Sequence, residues 1–203
     1  NTRRFGASLD KIKQVVNVRN GEIMFGLNMV VHKGKTIFVG DTSVHEYPTS
    51  EQMAEIAIST ARVVRLFGFD PKVAFVSHST FGQPLTSRTK HIRKAVDILK
   101  EKKVDFEFDG DMQPDVALNS EYEELYPFSK IVGNANILIM PGQHSAAISY
   151  KMMKTLGDTK VIGPLLVGLG LPIEIAPLRS STSEIINLAS IAAYSSDVID
   201  YKK

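Results

Sequence analysis

There is no cysteine in this chain. Disulfides, thiolate-bound metals and a cysteine nucleophile are therefore excluded, and the absence fits a reducing compartment. No excess of one charge sign exists either: 24 Lys+Arg stand against 22 Asp+Glu, a formal net charge of +2. The densest basic cluster is only Lys100-Glu101-Lys102-Lys103, which is no electrostatic footprint for nucleic acid. A long unbroken hydrophobic run is missing as well. The best candidate, Val161 to Leu178, is interrupted by Gly163, Pro164, Gly168, Gly170, Pro172 and Pro177, so it reads as buried strand and loop and not as a membrane helix. No signal peptide opens the sequence, no repeat or low-complexity segment interrupts it, and its start at Asn1 suggests a processed chain or a fragment. What remains is ordinary: 203 residues, 43% apolar and 23% charged, enough for one large or two small folded domains with real cores.

Hydrophobic periodicity then sorts the chain into elements. Apolar residues at Ile12, Val15 and Val16 predict a short helix over 10–18, with strands over 23–31 and 36–39 split by the turn His32-Lys33-Gly34-Lys35. Asp41 to Pro48 reads as a loop, and Thr49 with Gln52 three residues on has capping-box spacing for a helix that ends at Gly68. Val73-Ala74-Phe75-Val76 is the short apolar run of a strand buried on both faces. A polar loop over 77–89 and a helix carrying Ile92, Ala95, Val96, Ile98 and Leu99 follow. Alternation of Val104, Phe106 and Phe108 with Asp105, Glu107 and Asp109 predicts an edge strand with an acidic solvent face. The run 136–140 predicts another buried strand, followed by a helix over 145–156 in which Met152 and Met153 fill core. Strands at 161–162 and 172–175 complete the set, with a last helix over 181–194 turning Ile185, Ile186, Leu188, Ala189 and Ala192 inward. Strands alternating with helices predict βαβ units on a mostly parallel sheet. Ligands of such sheets bind beyond the carboxyl ends of the strands. That rule directs attention to three loops: 41–48, 77–89 and 141–145.

Each loop has a functional and a plain reading. Ser77-His78-Ser79-Thr80-Phe81-Gly82 could wrap an anion with hydroxyls and backbone N–H groups, or be a polar loop whose serines cap a helix. It is not a nucleotide-hydrolase phosphate loop, for the Gly-Lys-Ser/Thr ending is missing, and no nucleophile elbow surrounds its serines. Pro141-Gly142-Gln143-His144-Ser145 joins strand to helix, where N-terminal amides favour a negative group; His144 either contacts a phosphate or sits on the surface. Asp109-Gly110-Asp111 reads as a solvated turn, because the spaced ligands of a calcium loop are absent. The five histidines show no i, i+4 pairing of a zinc helix.

Several segments together resemble the phosphate acetyl/butyryltransferase family. They are Asp41-Thr42 with Val44, Pro48-Thr49-Ser50-Glu51-Gln52, Gly133-Asn134-Ala135-Asn136-Ile137-Leu138, and Ile162-Gly163-Pro164-Leu165-Leu166-Val167-Gly168-Leu169. Ser77-His78-Ser79 with Phe81-Gly82, Asp109-Gly110-Asp111-Met112-Gln113-Pro114-Asp115, Leu125-Tyr126-Pro127-Phe128-Ser129 and Pro141-Gly142-Gln143-His144-Ser145 resemble the phosphotransacetylase-like C-terminal region of bacterial NADP-dependent malic enzymes. The resemblance implies a two-lobed, three-layer α/β/α fold of the isocitrate/isopropylmalate dehydrogenase type with one lobe incomplete: residues 10–158 as the second lobe, 1–9 and 159–203 as parts of the first. It also implies a coenzyme A thioester cleft, a cytoplasmic location and a homo-oligomer, with neither nucleic acid nor membrane as partner.

One departure from the family carries more weight than the matches. Active relatives resemble one another in a Ser-Arg pair before the last helix, with an Asp six residues after the Arg; the hydroxyl and carboxylate serve thiol attack on acetyl phosphate and the guanidinium holds the phosphate. The matching positions here are Pro177, Leu178 and Glu184. Proline has no hydroxyl and leucine holds no anion, a loss worth several powers of ten in rate. The implied role is a regulatory domain that binds acetyl-CoA without turnover, with Ser79, Thr80, Gly82, Arg88, Lys130, His144 and Arg179 as ligand-binding candidates. Oxidative decarboxylation of malate, with NADP and Mg or Mn, would belong to other domains of the parent chain. An active acyltransferase using Arg179 and Ser180 in place of the lost pair is the alternative, and a dimerisation scaffold with an empty cleft is the third.

Overall fold

A computed structural model describes residues 5–198; residues 1–4, which belong to the predicted first-lobe stretch 1–9, and residues 199–203 lie outside the described residues. The chain runs α1 (Phe5–Val15), β1 (Phe25–His32), β2 (Lys35–Gly40), α2 (Ser50–Leu66), β3 (Lys72–Val76), α3 (Ser87–Lys102), β4 (Glu107–Met112), α4 (Pro114–Leu118), a 3-10 turn (Ser120–Leu125), β5 (Ile137–Ile139), α5 (Gln143–Leu156), β6 (Thr159–Val167) and α6 (Thr182–Val198). The strands form one sheet in the order β4-β3-β5-β2-β1-β6. The pairs β4/β3, β3/β5 and β5/β2 are parallel, while β1 runs antiparallel to both β2 and β6. The expected α/β/α architecture on a mostly parallel sheet is thus present.

Period-two alternation sends each central strand to both faces. From β3, Val73 and Phe75 enter one core and Ala74 and Val76 the other; from β5, Ile137 and Ile139 oppose Leu138 in the same way. The first core lies under α2 and α3, which contribute Met53, Ile56, Ala57, Val64, Ile92, Val96 and Leu99. The second lies against α4 and α5, with Ala117, Ala146 and half-buried Met153. A small third cluster seats α1 by Leu9 against Met24, Leu166 and Leu169. Both long helices on the first face start as their sequences dictate. Thr49 accepts from the Gln52 N–H while the Gln52 side chain returns to the Thr49 N–H, and Thr86 and Thr89 make the same reciprocal pair.

Several expectations give way. The strand predicted from Val104 begins at Glu107 and continues through the supposed turn 109–111 to Met112. Its acidic face is wet where expected at Asp105 and Glu107, whose side chains are 79% and 41% exposed. Asp109 is instead 8% exposed, and Asp111, expected in a solvated turn, is 0% exposed. The Gly110 and Lys130 N–H groups donate to Asp109, and the Ser79 hydroxyl donates to one oxygen of Asp111. The expected strand at 172–175 does not form. Pro172 offers no N–H, and the Leu166 N–H of β6 donates to the Glu174 carboxylate instead of to a neighbouring strand. Among the described residues of α6 only Leu188 is buried, whereas Ile185, Ile186 and Ala189 are exposed; Met152 and Val15 also face outward. The strand at 161–162 lengthens to Thr159–Val167, and the loop after β3 ends earlier because Ser87 already belongs to α3.

Candidate binding cleft at the strand ends

The three loops flagged by topology converge. Glu46 and Tyr47 from the first, Ser77, His78 and Arg88 from the second with its helix, and Pro141, Gly142, His144 and Ser145 from the third line one cavity of about 520 Å³. Val76, Ile92, Pro114 and Met140 supply its apolar wall. β3 and β5 end beneath it, so the site sits where a parallel sheet presents its carboxyl ends.

Asp41 builds the first loop. Its buried carboxylate accepts the backbone N–H groups of Gly26 (2.9 Å), Ser43 (2.8 Å), Val44 (3.1 Å) and His45 (2.7 Å), and His45 Nδ1 lies 2.7 Å from Oδ2. One side chain therefore holds the segment just after β2 in a tight arch. That arch meets α5 closely: the Gln143 N–H donates to the His45 carbonyl, and a Cβ on Gly142 would stand 2.5 Å from the Glu46 oxygen.

Hydrogen bonds to β4 and the residues after it build the second loop. Ser79 Oγ donates to Asp111, Thr80 Oγ1 accepts from the Gln113 N–H (3.2 Å), and Gln113 Nε2 donates to the His78 carbonyl (2.9 Å). The Ser77 N–H reaches the Met112 carbonyl and the Phe81 N–H reaches that of Asp111. Asp109 closes the far side by accepting from the Lys130 N–H at 2.8 Å. These bonds place the predicted ligand residues plainly. Arg88 and His144 line the cavity, and His144 Nε2 stands 3.5 Å from Glu46 Oε1. Ser79 and Thr80 are buried and spend their hydroxyls on the fold. Gly82 holds φ at +80° beside Arg93, and Lys130 is exposed with its backbone on Asp109; neither lines this cavity.

Arg179 lies elsewhere, in a second cavity of about 210 Å³ with Tyr150, Lys151, Lys154, Pro177, Ser180 and Glu184. Glu184 is committed there. It accepts from Lys154 Nζ at 2.7 Å and from the Ser181 N–H at 2.7 Å, while its own N–H donates to Ser181 Oγ. That reciprocal pair caps α6. Lys154 first, then Ser181, holds its carboxyl down at about 2. Leu178 points to solvent, 68% exposed. Sequence reasoning missed Tyr47, an exposed ring in the cleft wall, and Asp111, which holds the second loop. Tyr47 resembles any surface aromatic in a sequence, and Asp111 stood in what read as a turn. Among the described residues no group of three or more His, Cys, Asp or Glu side chains could hold a metal, and no helix is long and apolar enough to cross a membrane.

This architecture has known counterparts. A phosphotransacetylase from Streptococcus pyogenes superposes with a TM-score of 0.89 at 28% identity, over 96% of this chain and 60% of that one. In sequence, the chain is 44% identical to an NADP-dependent malic enzyme of Rhizobium meliloti over 95% of its own length but 25% of that protein's. It is 32% identical to the phosphate acetyltransferase of Bacillus subtilis over 89% of its own length and 56% of that protein's. The chain thus spans about a quarter of the malic enzyme it matches. Residues 2–193 match the family described as phosphate acetyl/butaryl transferase, and the chain belongs to that family.

Proposed function

We propose that this chain is the thioester-sensing part of an NADP-dependent malic enzyme, binding acetyl-CoA in the strand-end cleft without turning it over. The observation that carries the reading is a division of labour between the two cavities. The large cleft keeps a ligand-sized space with an unneutralised cation: Arg88 has no carboxylate within ion-pair distance among the described residues. The positions matching the family's thiol-activating and phosphate-holding groups do not keep their chemistry. Pro177 has no hydroxyl, Leu178 has no charge, and Glu184 is bound to Lys154 and the α6 cap. Binding without turnover is what an effector site requires, since a ligand shifts a conformational equilibrium by its unequal affinity for two states.

Malate decarboxylation itself, with NADP and Mg or Mn, would be the work of other parts of the parent chain. A homo-oligomer in the cytoplasm, joined through this domain, completes the proposal. Full-length protein tests it: NADPH formation from malate is followed with and without acetyl-CoA, alongside calorimetric titration of the thioester. Measurable binding with a changed malate rate is the expected result, and a rate indifferent to acetyl-CoA would sink the regulatory role.

One observation favours the second reading, a working acyltransferase. Arg179 and Ser180 both line the cavity that Pro177 and Glu184 share, so a guanidinium and a hydroxyl stand next to the vacated positions. Acetyl phosphate and coenzyme A supplied together to the full-length protein separate the two. The first reading expects thioester formation at background; prompt formation establishes the second.

A further inference from the structure

The Arg88 guanidinium lies over the Tyr47 ring, 5.4 Å from its centroid. This pair stands where two cavities meet. Both residues line the 520 Å³ cleft and also a neighbouring space of about 350 Å³ bounded by Pro48, Thr49, Ser87 and His91. The walls of the neighbouring space are fixed. His91 Nδ1 is 3.0 Å from Ser50 Oγ and its Nε2 is 2.9 Å from the Pro48 carbonyl, so the loop end and α3 are joined across it.

Two features of the pair are unexplained by the fold. Tyr47 is 65% exposed in a concave wall, with the Arg88 guanidinium over its ring and no other aromatic stacked on it among the described residues. Arg88 has no hydrogen-bond or carboxylate partner among the described residues, and the first turn of α3 holds no acidic residue to neutralise it. A largely exposed ring, a planar cation and a hydroxyl at Ser87 suit one ligand chemistry: a flat heteroaromatic base carrying phosphate. The larger cleft beyond the pair carries an apolar wall of Val76, Pro114 and Met140 and the His78 and His144 side, while Glu46, next to Tyr47 in the chain, lies against His144. We propose that Tyr47 and Arg88 seat the nucleotide end of the ligand, the base on the Tyr47 ring and phosphate at Arg88, with the acyl-bearing arm running into the larger cavity toward His78 and His144. The assignment rests on the thioester reading and adds its direction.

The test uses full-length protein and four probes in calorimetric titrations: acetyl-CoA, adenosine 3′,5′-bisphosphate, S-acetylpantetheine and NADP. Tyr47→Ala is expected to weaken acetyl-CoA and the bisphosphate by about tenfold or more, the scale of one lost base–aromatic contact. S-acetylpantetheine, which has no nucleotide, keeps its affinity, and Tyr47→Phe restores the other two. Arg88→Met weakens the two nucleotides and spares S-acetylpantetheine. Equal loss for S-acetylpantetheine, or unchanged binding of the bisphosphate in Tyr47→Ala, overturns the assignment. So does NADP binding more tightly than acetyl-CoA with the same dependence on Tyr47, which would give the seat to a dinucleotide. Wild-type protein that binds the bisphosphate through Tyr47 but ignores acetyl-CoA would refute the thioester reading and keep the nucleotide seat; no binding of either refutes both.

Discussion

Ser79 Oγ donates its proton to Asp111 Oδ2, and Asp111, fully buried, has no partner for its other oxygen among the described residues. The bond crosses from the loop after β3 to the end of β4, so it sets where Ser77 and His78 present themselves to the cleft. Ser79→Ala leaves a buried carboxylate with neither oxygen bonded by a side chain, at a cost of about 3 kcal/mol. Ser79→Ala combined with Asp111→Asn recovers part of that cost, because the amide is neutral and brings its own donor. Urea unfolding of the two single variants and the double measures the coupling. Strictly additive losses would show that the two side chains do not act as a pair.

Gly142 and Glu46 give a second prediction, about the cleft and not the core. Gly142 has extended backbone (φ 164°) that any residue adopts, so the need for glycine is purely one of space. A methyl there would stand 2.5 Å from the Glu46 carbonyl oxygen, and both atoms are backbone-anchored. Relief requires the 41–48 arch to lift from α5, loosening the Gln143 N–H bond to the His45 carbonyl. Gly142→Ala is expected to leave the cores intact, to lower the melting temperature by a few degrees, about 1 kcal/mol, and to weaken cleft binding of acetyl-CoA by about tenfold. Titration of the thioester against the variant checks this; unchanged affinity would mean that the arch does not shape the bound ligand's surroundings.

What the sequence discloses about this molecule follows from what its patterns can encode. The apolar runs of β3 and β5, the Thr49/Gln52 cap and the three loops at the strand ends were legible because burial of aliphatic residues and helix capping leave local signatures. Asp109 and Asp111 were not. A carboxylate reads as solvent-facing unless its donors are known, and those donors, the Lys130 N–H and the Ser79 hydroxyl, come from segments distant in sequence. The same non-locality hid the roles of Ser79 and Thr80: a hydroxyl beside a strand end looks equally suited to a ligand and to a neighbouring strand. Residues 172–175 alternate like a strand, yet Pro172 and a side-chain acceptor at Glu174 take the segment out of the ladder. Ile185 and Ile186 have the spacing of an inward helix face, and their exposure shows that helical periodicity names a face without naming what covers it.

Glu174 supplies a prediction about pH. Its carboxylate lies beside β6, lining a small cavity with Val63, Leu66, Phe67, Leu165 and Ile191, and with Arg19, Tyr194 and Ser195 as the polar neighbours there. Burial pushes its carboxyl up from the ordinary 4.5 to about 8, against a smaller opposing pull from the Leu166 N–H. Between those two values the folded protein retains a proton that the unfolded chain has released. Stability is therefore highest below the unfolded value, falls as pH rises through the window, and levels off above the folded value, with a steepest slope of about 1.4 kcal/mol per pH unit. Glu174→Gln keeps an acceptor for the Leu166 N–H and has no proton to lose. Its unfolding free energy, subtracted from that of the wild type at intervals from about pH 5 to about pH 9, is expected to reveal this falling component, the variant gaining relative stability with each step toward alkaline pH. Parallel curves for the two proteins would mean that Glu174 titrates in water-like surroundings and that residues 172–175 are not held to β6 through a buried carboxyl.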